Sequence, residues 1–276
     1  MSGASGMLDF SGKAVLVTGG GAGIGRACAE AFAAQGAQVF IAEIDAERCA
    51  GFTAGTAIRC DVTKRDYVAR LAAEVAAQTG GRLDVLVNNV GHYLHAKPFA
   101  DLTMDEVEAI VGINLISLMG VTHAMLPLLK ASAPGSSIVN VTSIEAYRGI
   151  PTCSVYAAGK WGVTGFTKSL ALELAPLGIR VNDIAPETTD TAQTPIEYMV
   201  PPENRHHVER WIPLGRFGRP EDCAQAALYL ASPMASWVTG TAINIDGGSL
   251  AAAGWVRDGN GVWTNMPIVT GNGMNL

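Results

Sequence analysis

Residues 154–162 read SVYAAGKWG, and the chemistry of that stretch belongs to Tyr156 and Lys160. Four positions apart, the two fall on one face of a helix, a phenol beside an ammonium group. A phenol has an ordinary pKa of about 10 and is a poor base at neutral pH unless nearby positive charge favours phenolate. Such a pair could move a proton; taken alone, it is far more often an ordinary pair on a helix surface. Residues 15–25, VLVTGGGAGIG, carry a second chemistry. An apolar strand runs into glycines and then into a helix. Backbone approaches a pyrophosphate closely only where side chains are absent, and a helix N-terminus adds free N–H groups and positive potential. Gly19, Gly21, Gly23, Ile24 and Gly25 would form that cradle. The next apolar run, QVFIAEID, ends in Glu43, 18 residues after Gly25. A carboxylate there accepts both ribose hydroxyls of NAD and repels the 2′-phosphate of NADP. Arg48 arrives only in the following helix, so the reading is NAD. Asp45 is the alternative acid, better suited to capping a helix.

These residues need a frame to bring them together. Strand-like runs stand at 14–18, 38–42, 56–60, 84–88, 137–142, 180–185 and 242–246, with candidate helices at 23–35, 64–79, 103–130, 155–175 and 220–231. Continuous apolar strands separated by helices are what a parallel sheet covered on both faces requires. The expected fold is α/β: one doubly wound Rossmann-type domain over 1–276, with a mostly or wholly parallel seven-stranded sheet and helices on both faces. At 276 residues, 49% of them hydrophobic, the chain can fill one large core. Residues 1–9 read as a disordered lead-in, 187–219 as a substrate lid and 249–276 as a C-terminal extension.

Composition narrows the function classes. The net charge is −6 and no basic run occurs, which argues against a nucleic-acid partner. Five cysteines, an odd set without CxxC spacing, point to reduced thiols and a cytoplasmic location rather than a disulfide framework. No apolar stretch is read as approaching the roughly 18 residues that suggest a membrane span. The N-terminus, small and polar, does not read as a signal peptide.

Taken in order, these residues resemble the short-chain dehydrogenase/reductase family, from about residue 10 to residue 249. Its TGxxxGxG motif is matched by Thr18, Gly19, Gly23 and Gly25, its adenine-holding Asp-Val by Asp61 and Val62, and its NNAG by NNVG, which includes Asn89 and Gly91. Its active-site residues are matched by Asn114 in GINLIS, Ser143 in VNVTSI, Tyr156 and Lys160. The resemblance implies that Tyr156 is the general base for alcohol oxidation, with Lys160 and the positive nicotinamide ring lowering its pKa. Lys160 would also hold the ribose hydroxyls, Ser143 would fix the substrate oxygen, and Asn114 would anchor a water joining Lys160 to solvent. After the sixth strand the family usually has Pro-Gly and then a threonine; here APETTDT keeps Pro186 and puts Glu187 in place of glycine. Thr188, Thr189 and Thr191 remain for the nicotinamide carboxamide. The resemblance also implies assembly, and a homotetramer is expected.

Other polar residues suit plainer roles. His92 and His95 lack a carboxylate or cysteine to complete a metal set and read as the rim of a pocket, so no metal is expected. Cys153 reads as a pocket wall, and Glu145 either meets a substrate hydroxyl or pairs with Arg148. The run 203–210 reads as a solvated helix face of the lid. Tyr198, Met199, Trp211, Trp255 and Trp263 suggest an apolar lining for a bulky cyclic or hydrophobic alcohol or ketone. The tail beyond Gly248, with Trp255, Val256, Val262, Trp263, Met266 and Ile268 among its glycines, is expected to lie as an irregular segment across a surface. The expected activity is NAD-dependent hydride transfer; the alternatives are an NADPH-dependent ketone reductase and a catalytically silent dinucleotide sensor.

Overall fold

The computed structural model describes residues 8–265 and 274–275. Seven strands form one sheet: β1 (Ala14–Thr18), β2 (Gln38–Glu43), β3 (Thr56–Arg59), β4 (Val85–Asn88), β5 (Ser137–Val141), β6 (Arg180–Pro186) and β7 (Ala242–Ile245). Their order is β3-β2-β1-β4-β5-β6-β7, and every pairing is parallel. The sheet expected to be mostly or wholly parallel is wholly so. All five residues of β1 are buried, as a strand covered on both faces demands.

Helices fill both faces. They are α1 (Gly23–Ala34), α2 (Ala46–Ala50), α3 (Arg65–Thr79), α4 (Met104–Val111), α5 (Ser117–Ala131), α6 (Ser154–Leu174), α7 (Ile196–Met199), α8 (Val208–Trp211), α9 (Pro220–Ala231) and α10 (Ser249–Ala252). One core joins Leu16, Phe40, Leu86 and Ile138 to Leu71 of α3 and Met125 of α5. The other joins Val15, Val17, Ile41 and Val139 to Phe32 of α1 and Ala227 of α9. Alternate residues of each strand thus serve opposite layers. Strand order reverses direction between β1 and β4, which opens a crevice at the carboxyl ends of the strands. Every residue expected to do chemistry lies at those ends.

The helix expected over 103–130 is interrupted. Thr103 and Glu106 cap α4 reciprocally, Glu106 N to Thr103 Oγ1 at 3.3 Å and Thr103 N to Glu106 Oε2 at 2.8 Å. A π turn over 112–116 then separates α4 from α5. The cause is local: Asn114 Nδ2 donates to Ile110 O at 2.8 Å, taking the carbonyl that the backbone of residue 114 would use in an α-helix. Contrary to the expectation that no apolar stretch approaches such a length, the combined rod, Met104–Ala131, is long and apolar enough to cross a membrane by length and composition. Val121, Met125 and Leu129 turn one side of it into the core.

The lead-in ends earlier than expected, because Leu8 packs against the core and Asp9 Oδ1 accepts from Ser11 N at 2.8 Å; residues 1–7 lie outside the described residues. The tail is not the irregular segment expected. After α10, strands β8 (Val256–Arg257), β9 (Trp263–Asn265) and β10 (Met274–Asn275) form a small antiparallel sheet. The β8–β9 turn explains it: Asp258 Oδ1 accepts from Asn260 N and Val262 N at 2.8 and 2.9 Å, and Gly261 takes φ +79°. Met266 and Ile268 lie outside the described residues. This sheet meets the same chain's 187–219 segment, Arg210 Nε donating to Arg257 O at 2.8 Å. That segment is itself broken into α7, a 3-10 stretch over Pro202–His207 and α8, so 203–210 is two short exposed turns rather than one helix face.

Candidate active site

The glycine loop leaves β1 and leads directly into α1. Ala22 provides no side-chain cap, and the first turn of α1 has no acidic residue. The N-terminal N–H groups are therefore available to an anion. Glycine is required here by packing: a Cβ on Gly25 would press into the carbonyl oxygen of Gly19 and stand 2.5 Å from Asn89 Nδ2. Asn89 holds the loop's other side, donating from Nδ2 to Thr18 O at 3.0 Å and to Gly19 O at 3.3 Å. Gly19 and Gly23 both have positive φ, +63° and +52°. A Cβ on Gly23 would lie 3.2 Å from Thr191 Cγ2, so the segment after β6 reaches back over the cradle.

Glu43, at the end of β2, is buried at 4% exposure. Its Oε2 accepts from Gly21 N at 3.0 Å, and its Oε1 accepts from Ile44 N and Asp45 N at 2.9 and 3.1 Å. The carboxylate is thus fixed beside the loop, and a Cβ on Gly21 would stand 2.7 Å from it. Asp45 caps α2, accepting from Glu47 N and Arg48 N. Asp61 Oδ1 accepts from Thr63 N and Oγ1 at 2.9 and 2.7 Å, and Val62 packs into the core.

Across the crevice, Lys160 is buried and donates from Nζ to Val141 O at 2.9 Å. Gly91 makes room for it, since a Cβ there would stand 2.6 Å from Lys160 Nζ and 2.9 Å from Asn114 Oδ1. Asn114 is fully buried; its Oδ1 accepts from His92 N at 3.0 Å, and its Nδ2 donates to His92 O at 2.7 Å and to Ile110 O. Tyr156 lies in the first turn of α6 with Lys160 one turn on, its Nζ 5.7 Å from the tyrosine ring centre. Ser143, at the end of β5, is the hydrogen-bonding neighbour of the phenol and accepts at Oγ from Glu145 N at 3.2 Å.

The electrostatics depart from expectation at one point. Burial pushes the Tyr156 phenol up to about 12, against a smaller downward pull from Ser143; Glu145 and Cys153 add to the rise. The Lys160 ammonium, turned to Val141 O, is itself brought down to about 8 by burial, with the Asp183 carboxylate opposing. In the free protein burial thus dominates the phenol, while the lowering implied by the resemblance involves Lys160 together with the nicotinamide ring.

A matching family model, described as enoyl-(acyl carrier protein) reductase, covers residues 19–249. A 3-oxoacyl-(acyl-carrier-protein) reductase of Thermotoga maritima is 39% identical over 249 residues, covering 87% of this chain and 99% of the relative. A 3β-hydroxysteroid dehydrogenase of Eggerthella lenta is 39% identical over 252 residues, covering 87% of this chain and 94% of the relative. Among solved structures, a 7α-hydroxysteroid dehydrogenase complexed with NADH and 7-oxo glycochenodeoxycholic acid superposes with TM-score 0.81 at 32% identity, covering 90% of this chain and 98% of that one. The chain belongs to the short-chain dehydrogenase/reductase family. It is an oxidoreductase built on the wholly parallel, Rossmann-type sheet described above.

The segment after β6 follows this chain's own course. Glu187 has no positive φ and continues the extended run, its N donating to Ile245 O at 3.1 Å. Thr188 donates to the Glu187 carboxylate, and Thr189 is buried, donating to Glu187 O at 2.9 Å. Thr191 is the threonine that reaches the cradle. Glu145 pairs with Arg148, as one of its two expected roles required, but Arg148 also grips Glu187 at 3.0 Å. Asp183 was not singled out by its sequence context. It is fully buried in β6, accepts from Thr142 Oγ1 at 3.1 Å and is pushed up to about 6 by burial; an acid inside the apolar run RVNDIA was the available signal. His92 and His95 take local partners: His92 Nδ1 accepts from Leu94 N at 2.7 Å, and His95 lies 3.6 Å from Glu106. Cys153 is buried at the start of α6. A separate cavity of about 680 Å³ opens at the opposite, amino-terminal end of the strands, beside Lys13, Asp84 and Arg180, with none of the catalytic set in its lining.

Proposed function

We propose that this chain is an NAD-dependent dehydrogenase of bulky, cyclic or hydrophobic secondary alcohols. One observation carries the cofactor choice: Glu43 is held at the end of β2 by three backbone N–H groups, with Oε2 beside Gly21. A carboxylate fixed there accepts ribose hydroxyls and repels a phosphate. The glycine loop and the uncapped start of α1, with no acidic residue in its first turn, suit a pyrophosphate. Asp61 would meet the adenine, and Thr191 the far end of the cofactor near Pro186. An oxidised nicotinamide held here would supply the hydride acceptor and, until transfer, a positive charge near the phenol. Tyr156 takes the hydroxyl proton of the alcohol, and gives it back in reduction. Ser143, aligned by Glu145 N, holds the substrate oxygen. Lys160 holds ribose hydroxyls near Val141. Wild-type kcat/KM should favour NAD over NADP, and Glu43→Ala should narrow the gap without reversing it; preference for NADP by the wild type would refute the assignment. A Cβ at Gly21 would also stand 2.7 Å from Arg48 Cβ, so an arginine shares this corner. NADP use with Arg48 facing the phosphate is accordingly the second reading.

The chain is also proposed to act as a homotetramer. Ile116, Trp161 and Leu172 leave large apolar side chains 56%, 56% and 77% exposed on the α5–α6 side. Covering such surface favours association. Light scattering should give four times the chain mass, and a 28.7 kDa particle would contradict this.

A further inference from the structure

Glu187 stands where the family pattern has glycine, and its carboxylate is tied into a network. Arg148 Nη2 donates to Glu187 Oε1 and Oε2 at 3.1 and 3.0 Å, while Thr188 N and Oγ1 donate to Oε1 at 2.8 and 3.0 Å. The same guanidinium serves Glu145, Nη2 to Oε1 at 2.8 Å and Nε to Oε2 at 3.2 Å. Two carboxylates thus share one cation, leaving one net negative charge. The Glu145 and Glu187 side chains are only 14% and 5% exposed, so salt and water screen that charge weakly.

The network's position matters more than its strength. It bridges the loop after β5, which carries Ser143, to the end of β6, which leads into the threonines. Glu145 N donates to Ser143 Oγ, so the charge begins two residues from the group that would hold the substrate oxygen. Lys160, within the site, and the buried Asp183 carry opposite charges that act on one another. A buried ion pair is weak support for a fold compared with well-packed apolar residues. Three charged side chains gathered here therefore call for a role toward what enters the pocket.

Building on the dehydrogenase reading, we propose that Glu145, Arg148 and Glu187 form an electrostatic filter that admits neutral alcohols and turns away substrates carrying a carboxylate near the reacting carbon. The filter acts through the excess charge, so its strength follows the count of carboxylates over guanidinium. Glu187→Gln or Glu145→Gln brings the net charge to zero. Arg148→Gln raises it to two negatives.

The test compares 2-hydroxycyclohexanecarboxamide with 2-hydroxycyclohexanecarboxylate of the same ring configuration, nearly equal in shape and different in charge beside the reacting carbon. With saturating NAD, the wild type should favour the amide in kcat/KM by about tenfold or more, as one weakly screened charge in a cleft would produce. Both Glu→Gln variants should bring that ratio towards unity, and Arg148→Gln should raise it. A merely structural role would depress both substrates alike and leave the ratio unmoved. Should Arg148→Gln not fold, the two glutamine variants decide. Calorimetric binding of both compounds to the NADH-saturated protein reads the same ratio without turnover. Binding selectivity without any turnover would overturn the dehydrogenase reading alone. Equal affinities and equal kcat/KM in the wild type, or a ratio unchanged in both glutamine variants, would overturn the filter.

Discussion

Replacing Tyr156 with phenylalanine should lower kcat by roughly 10²–10⁴-fold, the usual worth of a positioned proton-transfer group. The ring would remain in the first turn of α6, so fold and NAD affinity should persist; only the oxygen beside Ser143 is lost. Steady-state kinetics together with NADH binding and a melting curve check this. A variant that keeps most of its kcat would remove Tyr156 from the chemistry. The pH dependence has a definite sign. Burial holds the phenol near 12 in the free protein, and phenolate is the form that accepts the proton. Oxidation should therefore rise with pH into the alkaline range. Its apparent pKa should lie below 12, because the positive charge of the bound cofactor favours phenolate.

Gly25→Ala should be nearly as damaging, at a different step. The added Cβ would meet backbone, the Gly19 carbonyl, as well as Asn89 Nδ2 at 2.5 Å. Neither the loop nor the start of α1 can yield without moving the N–H groups that face the pyrophosphate. A displacement of that order costs about 10²-fold where geometry decides the rate. kcat/KM for NAD should fall by about that factor, with most of the loss in cofactor affinity. Fluorescence titration with NADH in variant and wild type measures it. Affinity within a few-fold of wild type would mean that the cradle does not hold the cofactor.

Sequence made the local features of this site legible and left the assembled ones hidden. The glycine loop, Glu43 and the Tyr156–Lys160 pair are close in the chain or follow a strand end directly, and their spacing survives folding. The Arg148–Glu187 contact spans 39 residues and exists only because β5 and β6 are neighbours, so the sequence offered Glu145 as a partner and not Glu187. The π turn escaped notice because Gly112–Ile116 reads as ordinary helix; what opens it is one side-chain bond from Asn114 to Ile110 O. In the tail, glycines suggested irregularity, yet Asp258 and Gly261 used them to turn a hairpin. The behaviour of the phenol was the least visible feature, because it depends on burial and on where Lys160 points. The resemblance implied lowering by Lys160 together with the nicotinamide ring; in the free protein burial raises the phenol, a contribution that the spacing does not reveal.

The central claim is that this site passes a hydride from a secondary alcohol to NAD with Tyr156 as the base. Absorbance of NADH, followed with a panel of cyclic and open-chain secondary alcohols, tests it most directly. At least one bulky cyclic alcohol should generate NADH with the wild type and far less with Tyr156→Phe. Tight NAD binding with no NADH formed from any member of the panel would contradict the claim and leave a dinucleotide sensor in its place.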